Sequence, residues 1–197
     1  MSFIEKIENR RTIYTIGNQV ALSNNEIEAL IKKTIRLSPS SFNSQSSRAV
    51  ILFDASHVKF WEIVRETLRK LVPESAFEAT NNKINSFAAG KGTVLFYEDQ
   101  DVIEGLQAQF AAYADNFPVW SEHSSAIAQF AVWTALAEHG VGASLQHYNP
   151  IVDAETAETF AIPASWKLRA QLVFGSIEAP AGEKTFMDDE ARFKTFH

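Results

Sequence analysis

The chain has 197 residues, of which 46% are hydrophobic and 21% are charged, so it is neither a disordered nor a fibrous protein. Its net charge of −6 argues against a general nucleic-acid binder, which would usually carry a basic face. The absence of cysteine excludes disulfides, thiolate chemistry and cysteine zinc sites.

Two capping-box sequences predict where the first two helices begin. Each pairs a serine with a glutamate three residues later, Ser2 with Glu5 and Ser23 with Glu26, so that the two side chains satisfy free N–H groups of the first turn. Apolar residues follow both boxes at helical spacing. Further helices are predicted from Ser56 to the break at Pro73, over 74–87, over 101–114 and over 153–160. Apolar runs predict strands at 48–53, 93–97, 143–147 and 168–175.

A long apolar helix is predicted from Ser121, after a break at Pro118, to His139, with Gly140 as the residue that ends it. Because this helix is apolar over most of its circumference, we expect it in the core or at an interface. Its most apolar stretch, 126–137, is shorter than the roughly 20 residues of a membrane-spanning helix, so we expect no membrane span.

Helices come first along the chain, and about four strands follow, separated by helices. This order predicts an α+β fold with a small central sheet. No repeat or linker divides residues 1–197, which predicts a single domain. The first eleven residues lack the apolar core of a secretion signal, so we expect a soluble, cytoplasmic protein.

The motifs of several enzyme classes are missing. The sequence has no phosphate-binding P-loop, no three-glycine dinucleotide fingerprint and no Gly-x-Ser-x-Gly nucleophile elbow. The five histidines form no His-x-x-x-His pair, so we expect no metal site. Adjacent carboxylates at Glu98-Asp99 and at 188–190 are interpreted as solvated surface groups.

Three polar segments are candidates for binding. Segment 10–12 (Arg-Arg-Thr) is either a pair of cations at a helix C-terminus or a phosphate clamp of two guanidinium groups and a hydroxyl. Segment 39–45 is either an ordinary turn-rich connection or a dense set of donors and acceptors for a flat, polar heterocycle. Segment 192–194 (Arg-Phe-Lys) is either a solvated basic end or a pair of cations on one side of an extended chain.

These three segments, in this order and spacing, resemble the FMN-dependent nitroreductase family over nearly the whole chain. Pro-Ser-Ser-x-Asn-x-Gln at 39–45 is the most specific of them. Ser-Phe-Asn-Ser-Gln-Ser-Ser-Arg at 41–48, with Gly-Thr-Val-Leu-Phe-Tyr-Glu-Asp at 92–99, is most similar to the short nitroreductase-like proteins that include the fungal fatty-acid-repression proteins and bacterial relatives.

The resemblance implies an intertwined α+β homodimer with a central, mostly antiparallel sheet flanked by helices and FMN at the subunit interface. It implies that segment 10–12 holds the phosphate and the pyrimidine edge of the flavin, that segment 39–45 contacts the ring or the ribityl chain, partly from the other subunit, and that segment 145–147 packs near flavin N5. Lys83 is a further candidate for a cation directed at the flavin. The implied cofactor-binding residues are Arg10, Arg11, Thr12, Pro39, Ser40, Ser41, Asn43, Gln45, Lys83, Leu145, Gln146, His147, Arg192 and Lys194.

Two positions depart from the wider family pattern. Tyr14 stands where a second basic residue is frequent, and Ser46-Ser47 stand where Pro-Trp is frequent. Both departures favour the short subgroup and weaken the transfer of a substrate range from the larger enzymes.

The implied activity is hydride transfer from NAD(P)H through FMN to nitroaromatic or quinone-like acceptors in ping-pong turnover, with no catalytic side chain, because the cofactor carries the reaction. The alternatives are a flavin-binding regulatory or stress-response protein with little turnover, and a flavin-free interaction domain. Five aromatic residues either line a plate-like acceptor site or, as we favour, belong to the core or a dimer contact: Phe42, Phe110, Tyr113, Phe117 and Trp120.

Overall fold

The computed structural model describes residues 2–197 and contains eight helices and five strands within them. The helices are α1 (Phe3–Asn9), α2 (Asn24–Leu37), α3 (Asp54–Leu71), α4 (Glu74–Ala88), α5 (Gln100–Gln109), α6 (Phe117–Glu138), α7 (Asp153–Phe160) and α8 (Asp189–Arg192). The strands are β1 (Ile16–Gly17), β2 (Ser47–Phe53), β3 (Gly92–Asp99), β4 (Gly142–Gln146) and β5 (Trp166–Ile177). Short 3-10 turns lie at Ser41–Asn43 and Ala111–Asn116.

All five strands join one antiparallel sheet, as expected for this α+β fold. Strand β3 lies between β2 and β5, and β5 pairs with β1, β3 and β4. The close approach of β1 to β5 requires Gly175, because a Cβ atom built there would lie 2.1 Å from the carbonyl oxygen of Gly17.

Helices cover both faces of the sheet, and alternate residues of β3 show how. Leu95 and Tyr97 pack into a core with residues of α3, α4 and α7. Val94 and Phe96 pack into a second core with residues of α2 and α6. Because successive strand residues point to opposite faces, the apolar run predicted from the sequence builds both layers at once.

The predicted elements agree with the structure in most places. The helix predicted over 101–114 is divided into α5, which ends at Gln109, and the 3-10 turn at Ala111–Asn116, and helix α8 was not predicted. Helix α6 begins at Phe117, because Pro118 lies in its first turn, where its missing N–H has no partner to lose, so the predicted start at Ser121 is wrong. The two-residue strand β1 was not predicted. Glu98 and Asp99 are buried, so the interpretation of this pair as solvated is wrong.

Other predictions of where helices begin and end are confirmed. Both capping boxes form. Gly140 follows α6 with a φ of 72°, a left-handed conformation that glycine adopts at no steric cost. In residues 2–197, no helix has both the length and the apolar character needed to cross a bilayer.

A buried histidine joins α3 to β3. His57 is 1% exposed; its Nδ1 lies 2.9 Å from the Thr93 hydroxyl and its Nε2 lies 3.2 Å from the Ala88 carbonyl oxygen. The Trp61 indole donates to the same hydroxyl over 3.0 Å. The network is satisfied by a neutral imidazole that donates from Nε2, and burial lowers the pKa of His57 to about 4.

This shift predicts a pH dependence of stability. The pKa of His57 is lower in the folded chain than its usual 6.5, so the unfolded chain binds more protons between these values. The free energy of unfolding is therefore expected to fall by about 3 kcal/mol as the pH decreases from 6.5 to 4. Urea denaturation at several pH values, with wild type and His57→Gln in parallel, measures this: the variant should lose most of the His57 contribution.

His139 is the control, since it is exposed where α6 ends. His139→Gln should keep the wild-type pH dependence of unfolding. Equal slopes in wild type and His57→Gln would show that another group controls acid stability.

Candidate functional site

Two cavities contain half of the candidate residues. The first, here the loop cavity, has a volume of about 390 Å³ and is lined by Pro39, Ser40, Asn43 and Gln45 together with residues of α2, β2 and α6. The second, here the arginine cavity, has a volume of about 510 Å³ and is lined by residues 10–12, 14–15 and 179–184. Both the phosphate-clamp segment and the polar segment therefore line accessible cavities rather than close-packed core.

Backbone strain marks the wall of the loop cavity. Phe42, Asn43 and Gln45 have φ angles of 56°, 51° and 49°, in the left-handed region that non-glycine residues rarely adopt. Such conformations cost of order 1–3 kcal/mol each and persist only where the surroundings enforce them. Ser40 helps to enforce them, because its hydroxyl accepts from the Gln45 N–H over 3.0 Å and its carbonyl accepts from the Asn43 N–H over 3.0 Å. The strain favours a functional role for this loop over an ordinary connection.

Arg48, which the sequence analysis did not select as a candidate, contacts the end of the loop at 39–45. Arg48 donates to the carbonyl oxygen of Gln45, forms an ion pair with Asp99 at 2.9 Å and lies 5.8 Å from the ring centroid of Trp166. It also lines the loop cavity. Arg48 lies three residues after Gln45, near the beginning of an apolar strand. A charged residue at that position was the signal from which the sequence could have identified it.

Two consecutive arginines line the arginine cavity. Arg11 donates to the carbonyl oxygen of Gly182 over 2.6 Å, and Arg10 lies 4.4 Å from the ring centroid of Trp133. Among residues 2–197 neither forms an ion pair with a carboxylate. The Nε atom of Arg10 is buried without a hydrogen-bond partner, and burial together with Arg11 lowers the pKa of Arg10. Two cations that line one cavity without an ion-pair partner fit an anionic group of a ligand.

Strand β4 lies directly beside this segment. Thr12 forms a parallel bridge with Ala143, and the Ile13 N–H donates to the Ala143 carbonyl over 3.0 Å. Leu145 is half-buried and Gln146 is buried in the same strand. The structure therefore places Thr12 beside β4, the strand that carries Leu145 and Gln146, although the two lie far apart in the sequence.

An aromatic cluster adjoins the loop. Phe42, which is 52% exposed, lies 5.0 Å from Phe110, 6.3 Å from Tyr113, 5.3 Å from Phe117 and 5.9 Å from Trp120, measured between ring centroids. The Trp120 ring is nearly parallel to that of Phe42, at 18°. These five rings form one contiguous set beside the strained backbone, but they contribute no side chain to either cavity.

The remaining candidates lie outside both cavities in the single chain. Lys83 is exposed on α4, 5.8 Å from the Phe87 ring centroid, and His147 is exposed after β4. Arg192 and Lys194 are exposed in the C-terminal segment, with Arg192 5.4 Å from the Phe193 ring centroid. Their assignment to a cofactor site stays a prediction.

The donors of these cavities suit binding rather than acid–base or nucleophilic chemistry. Hydroxyls, amides and cationic groups line them, together with one carboxylate, that of Glu183. Within residues 2–197 no cluster of three or more His, Asp or Glu side chains offers a metal site. A strained polar loop, a pair of arginines without an anion and an aromatic cluster therefore define a protein that binds a ligand with a flat polar part and an anionic end.

Comparison with known proteins agrees with this class. Residues 7–176 match the Nitroreductase family. The chain is 37% identical over 191 residues to HBN1 of Saccharomyces cerevisiae, covering 96% of this chain and 95% of HBN1. It also resembles the structure of the nitroreductase CinD from Lactococcus lactis in complex with nicotinic acid, with a TM-score of 0.93, 54% identity and complete coverage of both chains. A more distant structure from Desulfovibrio desulfuricans, in complex with FMN, shares the fold with a TM-score of 0.73 and 16% identity over 98% of this chain and 96% of that one.

The chain therefore belongs to the nitroreductase family, and the resemblance to its short subgroup is confirmed. The fold expected from that resemblance, an antiparallel sheet flanked by helices, is confirmed as well.

Proposed function

We propose that the protein is an FMN-dependent NAD(P)H oxidoreductase that reduces nitroaromatic or quinone-like acceptors, donor and acceptor occupying the site in turn. The observation that carries the proposal is the pair Arg10 and Arg11, which share a cavity without a carboxylate partner and leave a buried Nε atom unpaired. A phosphate group supplies what this pair lacks. A cytoplasmic location is part of the proposal, since the chain has no cysteine.

The residues present fit FMN at both of its ends. Arg10, Arg11 and Thr12 would bind the phosphate and the pyrimidine edge, and the left-handed loop at 39–45 would present its hydroxyls and amides to the ring or the ribityl chain. When bound, FMN supplies a ring that accepts a hydride from NAD(P)H and passes electrons to an acceptor. The chain's own residues bind and orient this ring, and no side chain is assigned as general acid or base.

Residues from three other parts of the chain would complete the FMN site. The β4 segment at 145–147 would pack on the flavin face, because β4 runs beside segment 10–12. Arg192 and Lys194 would close on the phosphate, and either Arg11 or Lys83 would place positive charge at the pyrimidine edge. These assignments follow the family pattern.

A homodimer is part of the proposal, and α6 is its main support. The side of this helix that faces its own chain is buried and mixed in character, with the polar residues Ser121, Ser124, Ser125 and Gln129 beside Phe117, Ala128, Val132 and Leu136. Its outward side carries Val119, Ile127 and Phe130, which are 52%, 43% and 39% exposed. A helix side that faces water is usually polar, so a second copy is expected to cover these exposed apolar residues.

The C-terminal segment supports the same conclusion. Four large apolar residues are 60% or more exposed there, namely Phe186, Met187, Phe193 and Phe196. They follow strand β5 on a segment that is exposed from residue 182 onward. A segment of this kind gains burial by wrapping around a partner, which would also carry Arg192 and Lys194 to the partner's site.

Aromatic acceptors fit the cluster around Phe42. Offset-stacked or edge-to-face rings stabilise one another by about 0.5–1.5 kcal/mol beyond their area burial. Solved structures of CinD contain the aromatic ligands chloramphenicol and 4-nitrophenol. We assign the acceptor position to the space between the Phe42 ring and the flavin.

Anaerobic stopped-flow mixing with NADH or NADPH tests the proposed activity. The purified protein should carry a flavin absorbance band, and the band should bleach with at least one of the two nucleotides and recover when a nitroaromatic or a quinone is added. If bound flavin persists unbleached with both nucleotides for minutes, the protein binds flavin without turning it over, as the regulatory alternative requires. A colourless protein that takes up no FMN would contradict the cofactor assignment.

The double variant Arg10→Ala, Arg11→Ala tests the phosphate assignment. Hydrogen bonds to charged groups contribute about 1.5–3 kcal/mol each, so losing two should raise the FMN dissociation constant by at least about a hundredfold. The measurement is the flavin absorbance that each chain retains after gel filtration. Arg69→Ala is the control, because Arg69 stacks on Phe77 and lines neither cavity. Retention equal to wild type in the double variant would contradict the assignment.

The variant Phe42→Ala tests the acceptor position. Loss of ring stacking should raise the KM for a nitroaromatic about three- to tenfold and leave the rate of flavin bleaching by NAD(P)H near the wild-type rate. Phe77→Ala, on α4, is the control for removal of a ring elsewhere. An unchanged KM in Phe42→Ala would return the aromatic cluster to the core or dimer contact that the sequence favours.

A further inference from the structure

Glu98 is a buried carboxylate with an unusual set of partners. It lies near the end of β3, it is 0% exposed, and it pairs with Ser47 across the sheet. Within residues 2–197 no lysine or arginine forms an ion pair with it, because Arg48 is paired with Asp99 and Arg169 with Glu122. A buried carboxylate needs strong hydrogen bonds in place of its lost hydration.

Two consecutive serines supply those hydrogen bonds. The Ser46 hydroxyl donates to Oε2 of Glu98, and the Ser47 hydroxyl donates to Oε1. Successive residues of a strand point to opposite faces, so two neighbouring hydroxyls can reach one carboxylate only where the chain turns into the strand. Glu98 therefore holds the backbone at the point where segment 39–45 becomes β2.

The restraint continues into the loop. Ser46 is 1% exposed, its carbonyl oxygen accepts from the Asp99 N–H over 3.0 Å, and its hydroxyl lies 3.4 Å from that of Ser44. The next residue back is Gln45, whose left-handed backbone needs outside support. The anchored serine supplies support from one side, and Ser40 supplies it from the other.

We propose that Glu98 is a positioning residue, which holds Ser46 and Ser47 with its two oxygens and thereby keeps the loop at 39–45 in the strained conformation that receives the flavin. The inference rests on the proposed FMN site. Glu98 does not touch the ligand; it removes the need to order the loop on binding, and ordering a loop is a cost that weakens affinity.

Two charged groups assist the carboxylate. Burial raises the pKa of Glu98, whereas the two serine hydroxyls, Arg169 and Arg48 favour its charged form. Arg48 also donates to the Gln45 carbonyl oxygen, so one of these two arginines is bonded directly to the loop. A neutral amide at this position would keep one acceptor oxygen and lose the other.

Glu98→Leu and Glu98→Gln are the informative variants. In Glu98→Leu the FMN dissociation constant should rise about ten- to hundredfold, since the loop loses its anchor and must be ordered when FMN binds. In the flavin-free form, the backbone amides of residues 40–47 should exchange hydrogen faster than in wild type. In Glu98→Gln, both the dissociation constant and the exchange rate should lie between those of wild type and Glu98→Leu, because one acceptor oxygen remains. Flavin fluorescence titration and hydrogen-exchange mass spectrometry provide the two measurements.

Thr93→Val is the matched control, because Thr93 is a buried polar residue of the same strand that bonds to His57 and Trp61 instead of the loop. It should lower global stability and leave the FMN dissociation constant and the exchange of residues 40–47 at wild-type values. If Glu98→Leu does not fold, the double variant Ser46→Ala, Ser47→Ala removes the same two hydrogen bonds and should show the same two effects.

The outcomes distinguish the positioning role of Glu98 from the proposed FMN-dependent function. Wild-type affinity and wild-type loop exchange in the Glu98 variants, with FMN still bound, would overturn the positioning role and leave the proposed function intact. An effect of Thr93→Val as large as that of Glu98→Leu would also overturn it, because general destabilisation would then explain both. A wild-type protein that takes up no FMN would overturn the proposed function itself, and the positioning role with it.

Discussion

The hydrogen bonding of β5 to three other strands is the constraint from which both halves of the site follow. Strand β4 pairs with β5, and Ala143 of β4 forms the bridge to Thr12, so β5 fixes the position of the neighbouring arginine pair. Through β3, it places Glu98 and Asp99, which hold the serines and the arginine at the end of the polar loop. Segments more than 30 residues apart therefore acquire fixed positions relative to a single twelve-residue strand.

The site combines groups that are unfavourable without a ligand. Three non-glycine residues adopt left-handed backbone angles, and two guanidinium groups repel each other without an anion. The sheet and its two apolar cores provide the stability that maintains these conformations. A preorganised binding site stores strain in this way, ahead of the arrival of its ligand.

Helix α6 relates the site to the proposed dimer. Ser124 and Ala128 line the loop cavity, while Trp133, about 8 Å further along the helix axis, holds Arg10 at the arginine cavity. Val132 and Leu136 of the same helix pack into the core, whereas Val119, Ile127 and Phe130 are exposed on its outward side. One helix therefore supports two separate cavities in a single chain and presents the surface through which a second copy would bring the cavities together.

Local sequence determined most helices and strands of this protein, because capping boxes, apolar spacing and helix-ending residues such as Gly140 act over only a few residues. It also identified the segments at 10–12 and 39–45, whose residue types are unusual in themselves. The tertiary structure alone decided that Glu98 and Asp99 are buried, because adjacent carboxylates are ordinarily solvated and only their cross-strand partners reverse that. It alone decided that Arg10 lies on Trp133, since an apolar helix gives no local sign of which side faces a distant arginine.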